Sequence, residues 1–215
     1  MTTPLAPRLL KGGLILMDPV SGAIQTMIAL QYNPDTLTRS LQGRAQGEGG
    51  ERSEALRLKG PPVENYKLEA EIDATDQLGA GDAGATAVGI HPALAALETI
   101  LYPTSAALQA NERLASAGTL EIIPTEAPLT LFVWSSHRVV PVRLTEFSVT
   151  EEAFDANLNP IRAKVSLGMR VLSVDDLGFA HRGGGIYMVY QQQKETLARK
   201  AAAATFATFG IGGLP

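Results

Sequence analysis

Between Ile161 and Leu172 apolar and polar residues alternate without a break. Ile161, Ala163, Val165, Leu167, Met169 and Val171 share one parity, and Arg162, Lys164, Ser166, Gly168 and Arg170 share the other. A period of two is the mark of a β-strand with one buried face. At about 3.3 Å per residue such a strand is roughly 40 Å long and needs a large partner sheet. Upstream, Val139 to Val149 is also rich in β-formers, but Val140, Val142 and Leu144 share one parity whereas Phe147 and Val149 take the other. A slip of one residue near Thr145 and Glu146 predicts either a β-bulge or a strand that leaves one sheet for a second. Asp155-Ala156-Asn157-Leu158-Asn159-Pro160 supplies the turn, so Leu129 to Leu172 reads as a long, bent antiparallel hairpin.

The same reading places the other elements. Leu9 to Met17 and Ile24 to Tyr32 flank a turn at Asp18-Pro19-Val20-Ser21-Gly22 and predict an N-terminal hairpin. Tyr66, Leu68, Ala70, Ile72 and Ala74 alternate with Lys67, Glu69, Glu71 and Asp73, a strand with one core face and one acidic face. Pro92 to Tyr102 has helical spacing in Leu94, Leu97, Ile100 and Leu101, with Pro92 as a first helical residue and Pro103 as a stop. Ser105 to Ala117 continues as a second helical piece before Gly118. Residues 42–54 read as a mobile polar loop and residues 78–89 as a Gly/Ala loop. Ile186 to Phe209 reads as a helix stopped by Gly210, with Gly183-Gly184-Gly185 as a hinge before it. The fold class expected is mainly β (α+β): an antiparallel barrel or sandwich over 1–180 with one packed helix, then a hinge and a helical tail over 181–215.

Within this frame the motifs come in a definite succession. An apolar strand ends in Trp134, Arg138 follows, then the Pro141-Val142 strand, Glu151 or Glu152 before Phe154-Asp155, and Leu158-Asn159-Pro160 leading to Arg162-Ala163 and the final strand. The succession resembles the tube-initiator or tube-adaptor proteins of contractile injection systems, which are phage-tail-like particles. Ser135 departs from that pattern, where Gly is expected. Tyr32-Asn33-Pro34 at the end of an early strand is similar to a second block of the same family, and so is the Pro92-x-Leu94 helix. The resemblance covers most of Leu14 to Val174. It implies a tube-like barrel and a homo-oligomer, a hexameric ring that needs no catalysis. The ring would join the spike or hub protein to the inner tube protein and contact a baseplate wedge or sheath protein. Its interface candidates are Tyr32, Asn33, Pro34, Trp134, Arg138, Glu152, Phe154, Asn159, Pro160 and Arg162. Many members of that family carry a small LysM-type module after the barrel; nothing after Gly185 resembles one, and the Ala-rich helix is the candidate substitute. An ordinary inner-tube subunit is the alternative within the same particle.

Composition narrows the classes. A net charge of -4 and a pI near 5.4 argue against a nucleic-acid partner, and the absence of cysteine removes disulfides, thiol nucleophiles and thiolate metal sites. The apolar run Leu14 to Met17 is too short for a signal peptide, and no later run is long enough for direct membrane insertion, so a cytoplasmic protein working inside an assembled particle is expected. Gly79-Ala80-Gly81-Asp82-Ala83-Gly84 matches G-x-G-x-x-G literally and also resembles the signature of ribokinase-like kinases, with Asp82 as base. Because the preceding segments are β-rich and half acidic, a plain Gly/Ala loop is the favoured reading, with a small-molecule kinase as the alternative of another class. His91, His137 and His181 lack metal-ligand spacing, and neither a metal nor a cofactor is expected. The acidic stripe Glu69, Glu71, Asp73 and the basic stripe Arg162, Lys164, Arg170 are expected to meet, within one subunit or across a ring boundary; as exposed pairs they would set register more than strength.

Overall fold

The alternating segments pair as one antiparallel sheet. The computed structural model describes residues 10–44, 57–118 and 127–214. Its strands are β1 (Gly13–Met17), β2 (Ile24–Ala29), β3 (Leu37–Gln42), β4 (Val63–Asp73), β5 (Leu129–Ser135), β6 (Arg138–Phe154) and β7 (Pro160–Val171). They form a seven-stranded sheet in the order β2-β1-β5-β6-β7-β4-β3, so the chain is mainly β with helices added, as the parity pattern predicts. The N-terminal hairpin is present as β1 and β2. Asp18 closes its turn, its carboxylate accepting from the Ser21 amide and hydroxyl at 2.6 and 2.8 Å.

The parity slip is a bulge within this one sheet, not a passage into a second. β6 pairs Leu144 with Met169 and Glu146 with Gly168, leaving Thr145 as the extra residue. Gly168 makes room for it, since a Cβ there would lie 2.7 Å from that of Glu146. β6 meets β5 only between Arg138 and Val142; from Arg143 to Phe154 its ladder, among the described residues, is with β7 alone.

The sheet curls, and a side chain closes its seam. The Gln31 amide just after β2 accepts from the Asp73 amide at 2.9 Å and donates to the Asp73 carbonyl, standing in for a neighbouring strand at the end of β4. The inner face is the core: Tyr66, Leu68, Ala70 and Ile72 of β4, Ala163, Val165, Leu167 and Met169 of β7, and Phe132, Val140 and Val142 are buried together. Each Val, Leu, Ile, Phe or Met buried there contributes about 1.5–3 kcal/mol.

Helices plug this face. The first expected helix is shorter than predicted: α3 (His91–Glu98) has Pro92 in its first turn and buries Leu94 and Leu97. The expected Gly/Ala loop contains two short helices, α1 (Thr75–Gly79) and α2 (Ala83–Val88), with Gly81 at φ +73 between them. The Asp82 carboxylate caps α2 by accepting from the Ala85 amide at 2.8 Å. The second helical piece is α4 (Ser105–Ser116), capped by Thr104. A one-turn helix, α5 (Val174–Leu177), follows β7.

The glycine triplet is not a hinge, and the helix after it is no appendage. Gly183 to Gly185 form the first turn of α6 (Arg182–Ala198), which buries Tyr187 and Tyr190 against the sheet. A Cβ on Gly184 would lie 2.0 Å from the Gly178 carbonyl oxygen, so the small residue serves close packing. Two helices rather than one therefore fill the inner face, and α6 ends well before Phe209. A 3-10 turn over Phe206–Phe209 follows it, stopped by Gly210 at φ +70. Of the expected mobile loop, Gln42 ends β3, and residues 45–54 lie outside the described residues.

Candidate functional site

The β6–β7 hairpin holds most of the motif residues. The Asp155 carboxylate organises its tip, accepting from the amides of Asn157 and Asn159 at 2.7 and 2.8 Å and from the Asn159 side chain at 2.9 Å. The Asn159 side-chain hydrogen bonds hold the Asp155 carboxyl below its usual value. Leu158 takes φ +65 to complete the turn. The Pro160 carbonyl accepts from the Ile90 amide at 2.9 Å, and Gly89 permits the approach because a Cβ there would sit 2.2 Å from that oxygen. Asn159 and Pro160 thus fasten the hairpin to the α2–α3 junction, whereas Phe154 and Leu158 project into solvent.

On the outer face the charged stripes meet within the subunit. β4 and β7 place Asp73 opposite Arg162, Glu71 opposite Lys164 and Glu69 opposite Ser166. Arg162 binds Asp73 at 2.8 Å and Glu71 at 3.6 Å, and Lys164 turns to Glu152 on β6 at 3.2 Å. The Asp73 carboxyl is held below its usual value by hydrogen bonds from Thr75 and by Arg162. Arg170 does not join the stripe; it pairs with Asp176 at 2.6 Å. Glu69, Glu71 and Lys164 share a groove with Tyr32, Asn33 and Pro34, so the early motif and the charged stripes, far apart in sequence, converge on one surface.

The remaining motif residues work inside the subunit. Asn33 ties down the strand start, its side chain accepting from the Gly12 amide at 2.9 Å and donating to the Leu10 carbonyl at 2.7 Å. Trp134 is half-buried, 6.0 Å from the Phe132 ring. Arg138 lies over the Tyr66 ring at 5.6 Å. Tyr32 and Phe154 are the motif aromatics left exposed.

A second cluster escapes the sequence reading. Glu64 shares the parity of Tyr66 and points into the core, 2 % exposed. It accepts from the Tyr66 and Tyr190 hydroxyls at 2.8 and 2.7 Å and from the Lys194 ammonium at 3.3 Å, with Arg39 at 3.9 Å. Burial by itself would raise the Glu64 carboxyl, but the hydrogen bonds from Tyr190 and Tyr66 and the charge of Lys194 outweigh it and hold the group below its usual value. Burial, with the hydrogen bonds to Tyr66 and Glu64, pushes Tyr190 upward. Lys194 also lies 4.2 Å over the Tyr190 ring. A signal was available: Gly183, Tyr187, Tyr190 and Lys194 recur at helical spacing on one face of α6, and a carboxylate stands in phase with the core of β4.

The glycine-run signatures lack their frame. The strand before Gly79 is antiparallel to both neighbours, α2 is six residues long, and the cap position where a phosphate would sit is taken by the Asp82 carboxylate. His181 caps α6, its Nδ1 accepting from the Gly183 amide at 3.0 Å, and His91 opens α3. Among the described residues no group of three or more acidic or histidine side chains is placed to hold a metal, and no helix is long and apolar enough to cross a membrane.

No family model and no curated protein matches the chain. Among solved structures, it aligns with a chain from the tail of an empty GTA particle with C6 symmetry, at 13% identity over 74% of this chain and 90% of that one, with a TM-score of 0.26. It also aligns with a chain from the virion of a native gene transfer agent particle, at 12% identity and the same coverage and TM-score. The fold class rests on the chain's own strand ladders.

Proposed function

We propose that this protein is a structural, ring-forming subunit of a phage-tail-like contractile injection particle, a tube initiator or adaptor between the spike hub and the inner tube. The observation that supports it best is the overhang of β6. From Arg143 to Phe154 one edge of the strand lacks a partner among the described residues, roughly 40 Å of backbone donors and acceptors at about 3.3 Å per residue. The outer edge of β3 likewise has no ladder among the described residues, and an open edge is a template for another chain. A head-to-tail contact, overhang of one copy against an open edge of the next, uses two different surfaces and closes into a ring when the rotation allows.

In this reading the Asp155–Pro160 tip, fastened to α2 and α3, sets the angle of the overhang. Tyr32 and Phe154 are the exposed aromatic anchors, and the work is docking without bond-making. The spike hub, the inner tube and the wedge or sheath follow from the sequence resemblance. Electron microscopy and mass photometry of the purified protein test the core of the proposal. Closed hexameric rings that shorten or vanish when Val149 and Phe154 are both changed to Pro are the expected result, and a strictly monomeric protein at high concentration refutes it. An inner-tube subunit would extend rings into tubes unaided, whereas an initiator needs added tube protein.

A further inference from the structure

The segment that follows α6 has the composition of a docking peptide. Residues 201–214 contain no charged side chain and include Phe206, Phe209, Ile211 and Leu214, exposed at 49%, 68%, 45% and 78%. The segment is nevertheless shaped. Phe206 and Phe209 bound a 3-10 turn, and in that helix positions i and i+3 eclipse, so both rings stand on one side. Thr205 and Thr208 brace the turn through their side chains, and Gly210 at φ +70 ends it.

The same chain carries a receptor for such a segment. Between β2 and α3 an apolar slot of about 290 Å³ is lined by Met27, Ile28, Ile72, Ala93, Ala96 and Leu97. The small side chains of Ala93 and Ala96 leave the depth, and Met27 stands exposed at its rim. β2, with the sequence IQTMIA, has neither charge nor proline along its outer edge, where edge strands are ordinarily protected by one or the other.

We infer that residues 201–214 of one copy dock on the β2–α3 slot of a second copy, with Phe206 and Phe209 as the anchors. The occupant is a second copy because of where α6 leaves its own tail. Lys194 sits at Glu64, whereas the slot borders Ala70 to Ile72, roughly 20–27 Å farther along β4 at about 3.3 Å per residue. To seat Phe206 in the slot of its own chain, residues 199–206 would have to run almost fully extended, about 26–29 Å at about 3.3–3.6 Å per residue. Slot and tail are different surfaces of one chain, so the contact is head-to-tail, and it leaves the edge of β3 for the β6 overhang. The inference builds on the ring reading only in requiring self-association.

The absence of native cysteine gives a direct test. Two single-cysteine chains, Met27→Cys and Ala207→Cys, are mixed and mildly oxidised, with Glu112→Cys on α4 replacing Met27→Cys as control. A disulfide-linked heterodimer well above the control is expected, and Phe206→Asp with Phe209→Asp in the Ala207→Cys chain reduces it at least about tenfold. Circular dichroism of each variant checks that the fold is kept. No heterodimer above the control overturns the inference. So does an intrachain disulfide formed at high dilution in a chain carrying both Met27→Cys and Ala207→Cys. Rings by electron microscopy without the cross-link sink the tail docking alone, and the cross-link without rings sinks the ring reading alone.

Discussion

β4 carries ion pairs on both faces, and the two sets differ in everything except chemistry. Inside, Glu64 is 2 % exposed and bound by two tyrosine hydroxyls and Lys194, joining β4 to α6. Outside, Asp73 and Glu71 share Arg162, which is 43% exposed, and join β4 only to the strand beside it. The inner set replaces water with protein donors, so losing Glu64 leaves the Tyr66 and Tyr190 hydroxyls with only each other at 2.9 Å in a medium that cannot solvate them, whereas Lys194, 27% exposed, still reaches water. The outer set competes with water and salt throughout, and its loss is repaired by solvent. Burial rather than pairing decides what each is worth.

The sharpest way to break the comparison is Glu64→Ala. It leaves two buried hydroxyls and Lys194 without their shared acceptor, and a loss of about 3–5 kcal/mol is expected in urea denaturation. Tyr190→Phe removes one donor and keeps the shape; it should cost about 1–3 kcal/mol. A loss below about 1 kcal/mol for Glu64→Ala would show that water reaches the cluster and would erase the distinction between the faces.

Acid gives the intermediate effect, and its sign follows from the direction of the shift. The Glu64 carboxyl titrates below its ordinary value of 4.5 in the folded chain. The folded state therefore binds fewer protons, and the stabilisation is complete above that value and lost as pH falls below it. Asp73 and Asp176 are depressed as well and act with the same sign. Urea midpoints should drop between about pH 5 and about pH 3, and Glu64→Gln, which titrates nothing, should flatten the drop while lowering stability at neutral pH. An identical slope in the variant would assign the acid response to the surface aspartates instead.

What the sequence reveals follows the same division. Wherever one strand face is apolar, parity reports it, and even a single extra residue such as Thr145 is visible as a phase slip. Alternation on each strand shows that Glu71 and Asp73, and Arg162 and Lys164, share an outer face, but it does not show that Arg170, grouped with the same stripe, turns to Asp176. The Glu64 cluster was legible only in its two halves, the helical face of Tyr187, Tyr190 and Lys194 and the core parity of Glu64; nothing local joins segments 126 residues apart. Gly183-Gly184-Gly185 misled for a related reason: a glycine needed for close approach and one needed for freedom are the same letter, and only the Gly178 carbonyl beside Gly184 tells them apart. Asn159 and Pro160 were found as a motif, but the carbonyl contact with Ile90 that gives them a role depends on a helix junction expected to be a loop.

The smallest effect belongs to the outer face. Arg162→Ala removes the 2.8 Å contact with Asp73 and the 3.6 Å contact with Glu71, yet Asp73 keeps its hydrogen bond from the Thr75 amide and both carboxylates can turn to water. The expected cost is about 0–1 kcal/mol at low salt, fading toward zero in about 1 M NaCl, where the screening length is about 3 Å. Because Arg162 already has acidic partners within its own subunit, the variant should also self-associate as the unsubstituted chain does. A loss of self-association with the monomer still folded would mean that Arg162 serves a neighbouring copy in the assembly, and the outer ladder would then have to be counted as interface rather than as a solvated brace between β4 and β7.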